Sequence, residues 1–583
     1  MRSFAILAVA IMSAAPALAG PQEDFADLTE RYWEFVLEDN PTLASSLAIE
    51  GHDDKLYDYS IEAMDRRAAM SARFLSELRQ IPDSGLDEET RISKAILERS
   101  LSEAVEANEF GQRLMLFTNR SGWHQAIAGL GRNLKFDDVE DYENYLKRLA
   151  AYPAQNDTAI AVSRKAVEGG YTLPCVAMVD FEQSISGVIP EDASESRLYE
   201  PFRGEAPDMI DAATWRDLQQ RALKLIDGRL RLAYGEHARW YRDEYAPYCS
   251  TEVGVSAQPG GAEYYDFRIR QMTTTELSAD EIHQIGLEEV ARIRSEMEKV
   301  AAEAGFESRE AFIEDLRTNP KYYAETPEAL MQYVAREAKK IDGMMPTLFG
   351  HLARLPYGIR EIPAEIAPGT TTAYYNPGSP ENGIAGTYYV NTSKLDQRPL
   401  WEVPALTVHE GVPGHHHQIA IQQELDMPAW RKNGTFFTAF VEGWGLYSER
   451  LGIEMGLYDT PAKDMGRLSY EMWRAARLVV DTGLHSKNWS KQQAVDFMTE
   501  NTALSEANID AEVNRYISWP GQALAYKIGE LKIRELRGRA RDELGEDFDL
   551  REFHDVVLGQ GSVPLDVLEM QVMNWVAAKK SGD

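Results

Sequence analysis

The sequence predicts a mostly α-helical protein with one small β-sheet set next to a histidine-bearing helix. Three observations carry this expectation. Apolar residues recur at helical spacing through most of the chain, a Ser278-x-x-Glu281 capping box opens one such stretch, and a β-like pattern is concentrated between Tyr357 and Ser393. The 583 residues are enough for several cores or one large helical body, and 44% hydrophobic residues fit an ordinary globular chain.

Along the chain, Met1 to Ala19 read as a signal peptide. Arg2 gives a thin positive start, Phe4 to Met12 an apolar core, and Ala17-Leu18-Ala19 a cleavage site before Gly20. No Cys follows that site and the apolar run is too short to span a bilayer, so the expectation is a periplasmic or secreted protein without stable membrane insertion. Phe25, Leu28, Tyr32 and Phe35 then form a helical face that ends before Asn40-Pro41. Helices are expected around Ile61 to Leu78 and Thr90 to Ala107, with a Pro82-Asp83-Ser84-Gly85 turn between them. Gly169 to Pro201 reads as irregular, and a long helix is expected from Ala212 to about Tyr241. Gln258 to Tyr265 reads as a loop leading into Phe267 to Met272. It sets the expected boundary between an N-terminal helical region, 20–257, and a catalytic helical region, 258–583.

After the capping box, Ile282, Ile285, Val290 and Ile293 line a helix whose His283 reads as structural or surface. Ile359, Ile362, Tyr374-Tyr375 and Gly386 to Asn391 then suggest a small sheet with tight turns. Its edge could take up an extended peptide, or it could be a plain scaffold hairpin. From Pro404 onward helices dominate again. Cys175 and Cys249 are either a disulfide or two buried thiols, because spacing alone does not give their distance. A formal charge of -33 with no basic face argues against nucleic acid as a partner.

The chemistry gathers at His409-Glu410-Gly411-Val412-Pro413-Gly414-His415-His416-His417-Gln418. A zinc hydrolase needs two imidazoles, usually a carboxylate, an open position for water and a separate carboxylate to take the proton. In an H-E-x-x-H helix the second histidine stands one turn on, at i+4. Here i+4 is Pro413, and the next histidines are His415 at i+6 and His416 at i+7. On an ideal helix i+6 lies roughly 120° off the His409 face, and i+7 roughly 10 Å along the axis. Pro413 and Gly414 point to a bulge or kink that returns one of them; His415 is favoured and His416 is the rival.

His409 is the first candidate zinc ligand, Glu410 the general base, and Glu442, among Phe440, Val441 and Trp444, the third ligand. Glu449 either holds a ligand histidine from behind or is solvated surface. Candidate oxyanion donors are Arg515, Tyr516 and Tyr526, around a Pro520-Gly521 break, with aromatic core as the bland reading of either tyrosine. Arg477, Asp481 and His485 fall at i, i+4 and i+8. They read as a salt-bridged structural stripe, with His485 a lower-ranked donor.

Four segments carry a family resemblance: His409-Glu410-Gly411-Val412-Pro413-Gly414-His415-His416-x-Gln418, Glu442-Gly443-Trp444-x-x-Tyr447-x-Glu449, Arg515-Tyr516-x-x-x-Pro520-Gly521-Gln522-Ala523-x-x-Tyr526-Lys527, and Ile282-His283-x-x-Gly286-Leu287-x-Glu289-Val290. Together they resemble the bacterial family called domain of unknown function 885, which is similar to the gluzincin metallopeptidases, among them angiotensin-converting enzyme, thimet-type oligopeptidases and Taq-type carboxypeptidases. The resemblance implies a large helical body with a deep channel, zinc at its floor, and short peptides as substrates. It also implies an oxyanion tyrosine at the Tyr526 segment. The motif departs from those peptidases by two extra residues. The functional expectation is an exported zinc-dependent metallopeptidase. The alternatives are a zinc hydrolase of other amides, such as cell-wall peptides or acylated amino acids, and a non-catalytic periplasmic binding or chaperone-like protein, against which the intact Glu410 counts.

Overall fold

The structure, a computed structural model, describes residues 20–582 apart from 364–366, 368–370 and 381–382. The expected signal peptide lies outside the described residues. Helices dominate, as the periodicity predicts. Helix α1 (Pro21–Asp39) ends where Asn40 caps the short helix that begins at Pro41. Helices α2 (Ile61–Leu78) and α3 (Glu88–Ala107) flank the expected turn, each opened by a side-chain cap, from Ser60 and Asp87. Helix α4 (Val139–Glu168) leads into short turns through Pro201. The helix expected from Ala212 runs to Leu225, passes through a π-helical turn at Ile226–Leu230 and continues as Arg231–Trp240.

The expected loop at Gln258 to Tyr265 is half helix. Gly261–Thr273 is helical from its first residue, and a Cβ on Gly261 would fall 1.9 Å from the Val255 carbonyl. Gly261 permits that close approach, and Gly260 supplies the left-handed turn before it, at a φ of 63°. Helix α5 (Ala279–Glu303) has the expected capping box, with the Ser278 side chain accepting from the Glu281 amide and the Glu281 carboxylate from the Ser278 amide.

Three strands form the small sheet: β1 (Tyr357–Glu361), β2 (Ala373–Asn376) and β3 (Gly386–Val390). The order is β1-β3-β2, with β1 parallel and β2 antiparallel to the central β3. Then come α6 (Val403–Glu410), α7 (His415–Glu424), α8 (Thr438–Leu451), α9 (Pro461–Ser486), α10 (Glu506–Ser518) and α11 (Ala525–Leu544). The buried face of β3 meets α6 through the Tyr388 hydroxyl, 3.5 Å from Thr407 Oγ1. No described helix is long and apolar enough to cross a membrane.

Helix α9 is the axis of the C-terminal half, buried at every residue from Met465 to His485. Gly286 brings α5 against it so closely that a Cβ would lie 2.8 Å from Leu478 Cβ. Charges on a buried helix need partners, because an unpaired buried ion is costly. Glu471 of α9 takes Lys527 of α11 at 2.9 Å and Arg467 at 3.2 Å, while Lys527 reaches Glu289 of α5 at 2.8 Å. This network ties α5, α9 and α11 together.

The apolar cores do not follow chain order. Helices α1 to α3 share a core with α8, α11 and the C-terminal helices, whereas residues from Phe117 to Tyr245 pack among themselves. Cys175 and Cys249 are disulfide-bonded and close a loop with a sequence separation of 74 residues.

Candidate metal centre

The expected bulge is a full break. Helix α6 stops at Glu410, and α7 starts afresh at His415. Between them the Gly414 amide donates back to the Val408 carbonyl at 3.0 Å, folding the chain onto the last turn of α6. A Cβ on Gly414 would lie 2.0 Å from the His409 carbonyl, so only glycine fits this return. From α8 the Trp444 indole donates to the Pro413 carbonyl at 2.7 Å and pins the loop. The result places the His409 and His415 rings 4.6 Å apart and nearly perpendicular.

Glu442 on α8 completes the group. Its Oε2 lies 3.7 Å from His409 Nε2 and 3.5 Å from His415 Nε2, and one ligand atom from each residue falls within 4.8 Å of the other two. Tetrahedral ligands on zinc stand about 3.3 Å apart for bonds of about 2.0 Å, so the donor set and its spacing fit that ion. The side chain of His409 is only 4% exposed, whereas His415 and Glu442 keep 13% and 18%, so the centre is recessed and opens on their side. Glu410, the residue after His409, is half-buried at the end of α6.

Behind His409, Glu449 Oε1 accepts from Nδ1 at 2.8 Å, which leaves Nε2 facing Glu442. Glu449 is 1% exposed, which settles its surface reading against it. Burial opposes charge on His409, but the Glu442 and Glu449 carboxylates outweigh it and push its pKa up to about 10. Burial likewise opposes charge on Glu442, and the two histidines hold it well below the usual carboxylate range. The centre therefore favours positive charge, as a cation site must.

His416 faces elsewhere. Its Nε2 lies 3.0 Å from the Leu355 carbonyl, which can only accept, so Nδ1 is left to accept from the Tyr375 hydroxyl at 2.9 Å. Both nitrogens are spent, and burial lowers the pKa to about 4. His417 packs its ring on Phe349, buried.

Helix α8 approaches its neighbours through two glycines: Gly443, whose place in the Glu442-Gly443-Trp444 motif already predicts a close backbone approach, and Gly445, which the motif does not single out. A Cβ on Gly445 would fall 2.7 Å from His409 Cε1 and 3.0 Å from its Nε2. We expect Gly445→Ala to displace this imidazole and lower zinc affinity by at least the roughly 10–100-fold seen when a supporting residue is lost. Metal titration with a chromogenic chelator measures it. Gly443 meets Gly529 of α11 backbone to backbone, a Cβ on either clashing with the other helix. Farther along, Arg537 of α11 reaches Tyr447 of α8 and Glu454 just beyond its C-terminal end, so the two helices run in the same direction. Tyr526, one turn before Gly529, thus stands toward the Glu442 end of α8.

The Tyr526 hydroxyl accepts from Arg515 Nη2 and Gln522 Nε2, both at 3.4 Å, which leaves its own proton to donate. Arg474 of α9, absent from the sequence reading, lies 3.5 Å from Glu449 Oε1 with its guanidinium 6.0 Å from the Tyr526 ring. It links the support of His409 to Tyr526. Tyr516 is fully engaged as a core residue, its hydroxyl accepting from Trp473 Nε1 and Arg477 Nε.

The stripe on α9 is not salt-bridged to itself. Arg477 pairs with Glu512, Asp481 accepts from Tyr265 and the Gly521 amide, and His485 accepts from the Val255 amide while donating to the Tyr516 carbonyl. With both nitrogens bonded, His485 has no donor left for a substrate. His283 is half-buried and bonded to Thr482, as its structural reading expects.

Residues 41–572 match the family described as "Bacterial protein of unknown function (DUF885)". A crystal structure described as a putative lipoprotein from Colwellia psychrerythraea is similar at 28% identity and a TM-score of 0.90, covering 96% of this chain and 100% of that one. A second solved structure, described as a putative lipoprotein of unknown function from Shewanella oneidensis, shares the fold at 17% identity and a TM-score of 0.70, covering 94% of this chain and 99% of that one. No curated protein matches the chain.

Proposed function

The chain belongs to the DUF885 family, and we propose that it is an exported, zinc-dependent metallopeptidase acting on short peptides. The observation that carries the reading is the convergence of His409 Nε2, His415 Nε2 and Glu442 Oε2, with Glu410 next to His409 in the chain. Zinc held by these three would supply a Lewis acid for the substrate carbonyl and lower the pKa of a water. Glu410 would act as the general base, holding a proton from water at its carboxylate and returning it to the leaving amine, a role worth roughly 10²–10⁴-fold in rate. Tyr526, with its oxygen already accepting from Arg515 and Gln522, donates its proton to the developing oxyanion. Glu449 keeps His409 in the orientation that turns Nε2 to the centre.

The recess around His409 favours short or extended chains over folded ones. Export is supported by the signal-like residues Met1 to Ala19 and by the description of the Colwellia relative as a putative lipoprotein. The test is cleavage of a mixed library of short peptides, mapped by mass spectrometry, with and without a zinc chelator. Cuts that disappear with chelator and return with added zinc are expected. Protein carrying one zinc per chain that cuts nothing would refute the peptidase reading.

A further inference from the structure

Beside Tyr526 the charge balance departs from that of the chain. The protein carries a formal charge of -33, yet three guanidiniums here share one carboxylate. Glu512 of α10, 4% exposed, lies 3.0 Å from Arg477, 3.7 Å from Arg515 and 3.7 Å from Arg120, which reaches over from the N-terminal half. Arg477 is 2% exposed, and its Nη1 is buried without a hydrogen-bond partner. Arg477 is the buried member, while the Arg120 side chain is 45% exposed. The uncompensated charge therefore bears on Arg477 and its neighbour Arg515, and an incoming anion relieves the cost of burying it.

Arg515 is the member able to meet one. Its side chain keeps 20% exposure, its Nη1 approaches Glu512 only to 3.7 Å, and its Nη2 bonds Gln522 at 3.0 Å and the Tyr526 hydroxyl at 3.4 Å. The exposed indole of Trp519 stands alongside, 5.7 Å from the guanidinium. A guanidinium fork matches a carboxylate, and here it borders the phenol that would contact the scissile carbonyl.

We propose that Arg515, backed by Arg120 and Arg477, is a carboxylate subsite that receives the free C-terminus of a peptide, so that the enzyme trims its substrates from the C-terminal end. This rests on the peptidase reading and adds the mode of attack. Arg515 here determines specificity and also holds Tyr526 in place.

The test uses zinc-loaded Glu410→Gln protein, immobilised and exposed to one tetrapeptide library prepared as free acids and as C-terminal amides, with retained peptides counted by mass spectrometry. Free acids are expected to be retained about tenfold or more over their amides, the scale of one charge-assisted contact. Arg515→Gln in the same background should bring the ratio near one, and Arg515→Lys should restore part of it. Equal retention of acids and amides by the Arg515 protein would overturn the proposal. So would amides ending in Asp or Glu being retained as well as free acids, since the cluster would then read a side chain. Wild-type protein that cuts acids and amides alike sinks the C-terminal mode and leaves the peptidase reading standing. A retention preference with no cleavage by wild type does the reverse.

Discussion

Glu410→Gln should lower kcat by about 10²–10⁴-fold while zinc content stays at the wild-type level. Glutamine keeps the size and hydrogen-bonding edge of the side chain and removes only its basicity. Glu410 lies outside the convergent group formed by His409, His415 and Glu442, so the metal has no reason to leave. Single-turnover kinetics on a library-derived peptide, with metal analysis on the same sample, separates the two effects. Loss of zinc in step with activity would make Glu410 a ligand and not a base. An unchanged rate would mean that hydrolysis, if present, runs elsewhere.

The second large effect distinguishes neighbouring histidines. His415→Ala should lose zinc by more than the roughly 10–100-fold that follows loss of an outer partner, because a ligand itself is gone. His416→Ala should keep zinc and instead lower thermal stability. The Leu355 carbonyl and the Tyr375 hydroxyl each lose a buried partner, at a cost of about 1–3 kcal/mol. Zinc titration and thermal unfolding of both variants decide it. Zinc lost from His416→Ala and kept in His415→Ala would reverse the assignment.

Local signals made much of the fold legible. Helix α2 spans the stretch its periodicity marks, and the Ser278-Glu281 box caps α5 because both partners lie within one turn. What escaped depends on how the backbone folds back on itself and on what packs against it, which spacing does not encode. Gly260-Gly261 reads as a loop, yet the constraint is the Val255 carbonyl beneath Gly261. Pro413 and Gly414 announce a disturbance, but its extent is set by the Trp444 indole on Pro413 and by the clearance between Gly414 and the His409 carbonyl.

The same holds at the candidate site. Residue chemistry singled out His409, Glu410, His415 and Glu442, because few side chains suit a metal and a base. Spacing could not choose between His415 and His416; the partners on Leu355 and Tyr375 do. Periodicity put Arg477, Asp481 and His485 on one face of α9, but their partners come from α10, the Gly261–Thr273 helix and two loops. Gly445 and Arg474 had no signal beyond proximity to a motif, since their importance lies in what packs on them.

The most direct test of the account is an anomalous diffraction map, collected at the zinc edge, from crystals of the Glu410→Gln protein grown with zinc. The account predicts one dominant peak within about 2.0–2.2 Å of His409 Nε2, His415 Nε2 and a Glu442 carboxylate oxygen. No peak there, or a peak held by His416 or by other residues, would contradict it.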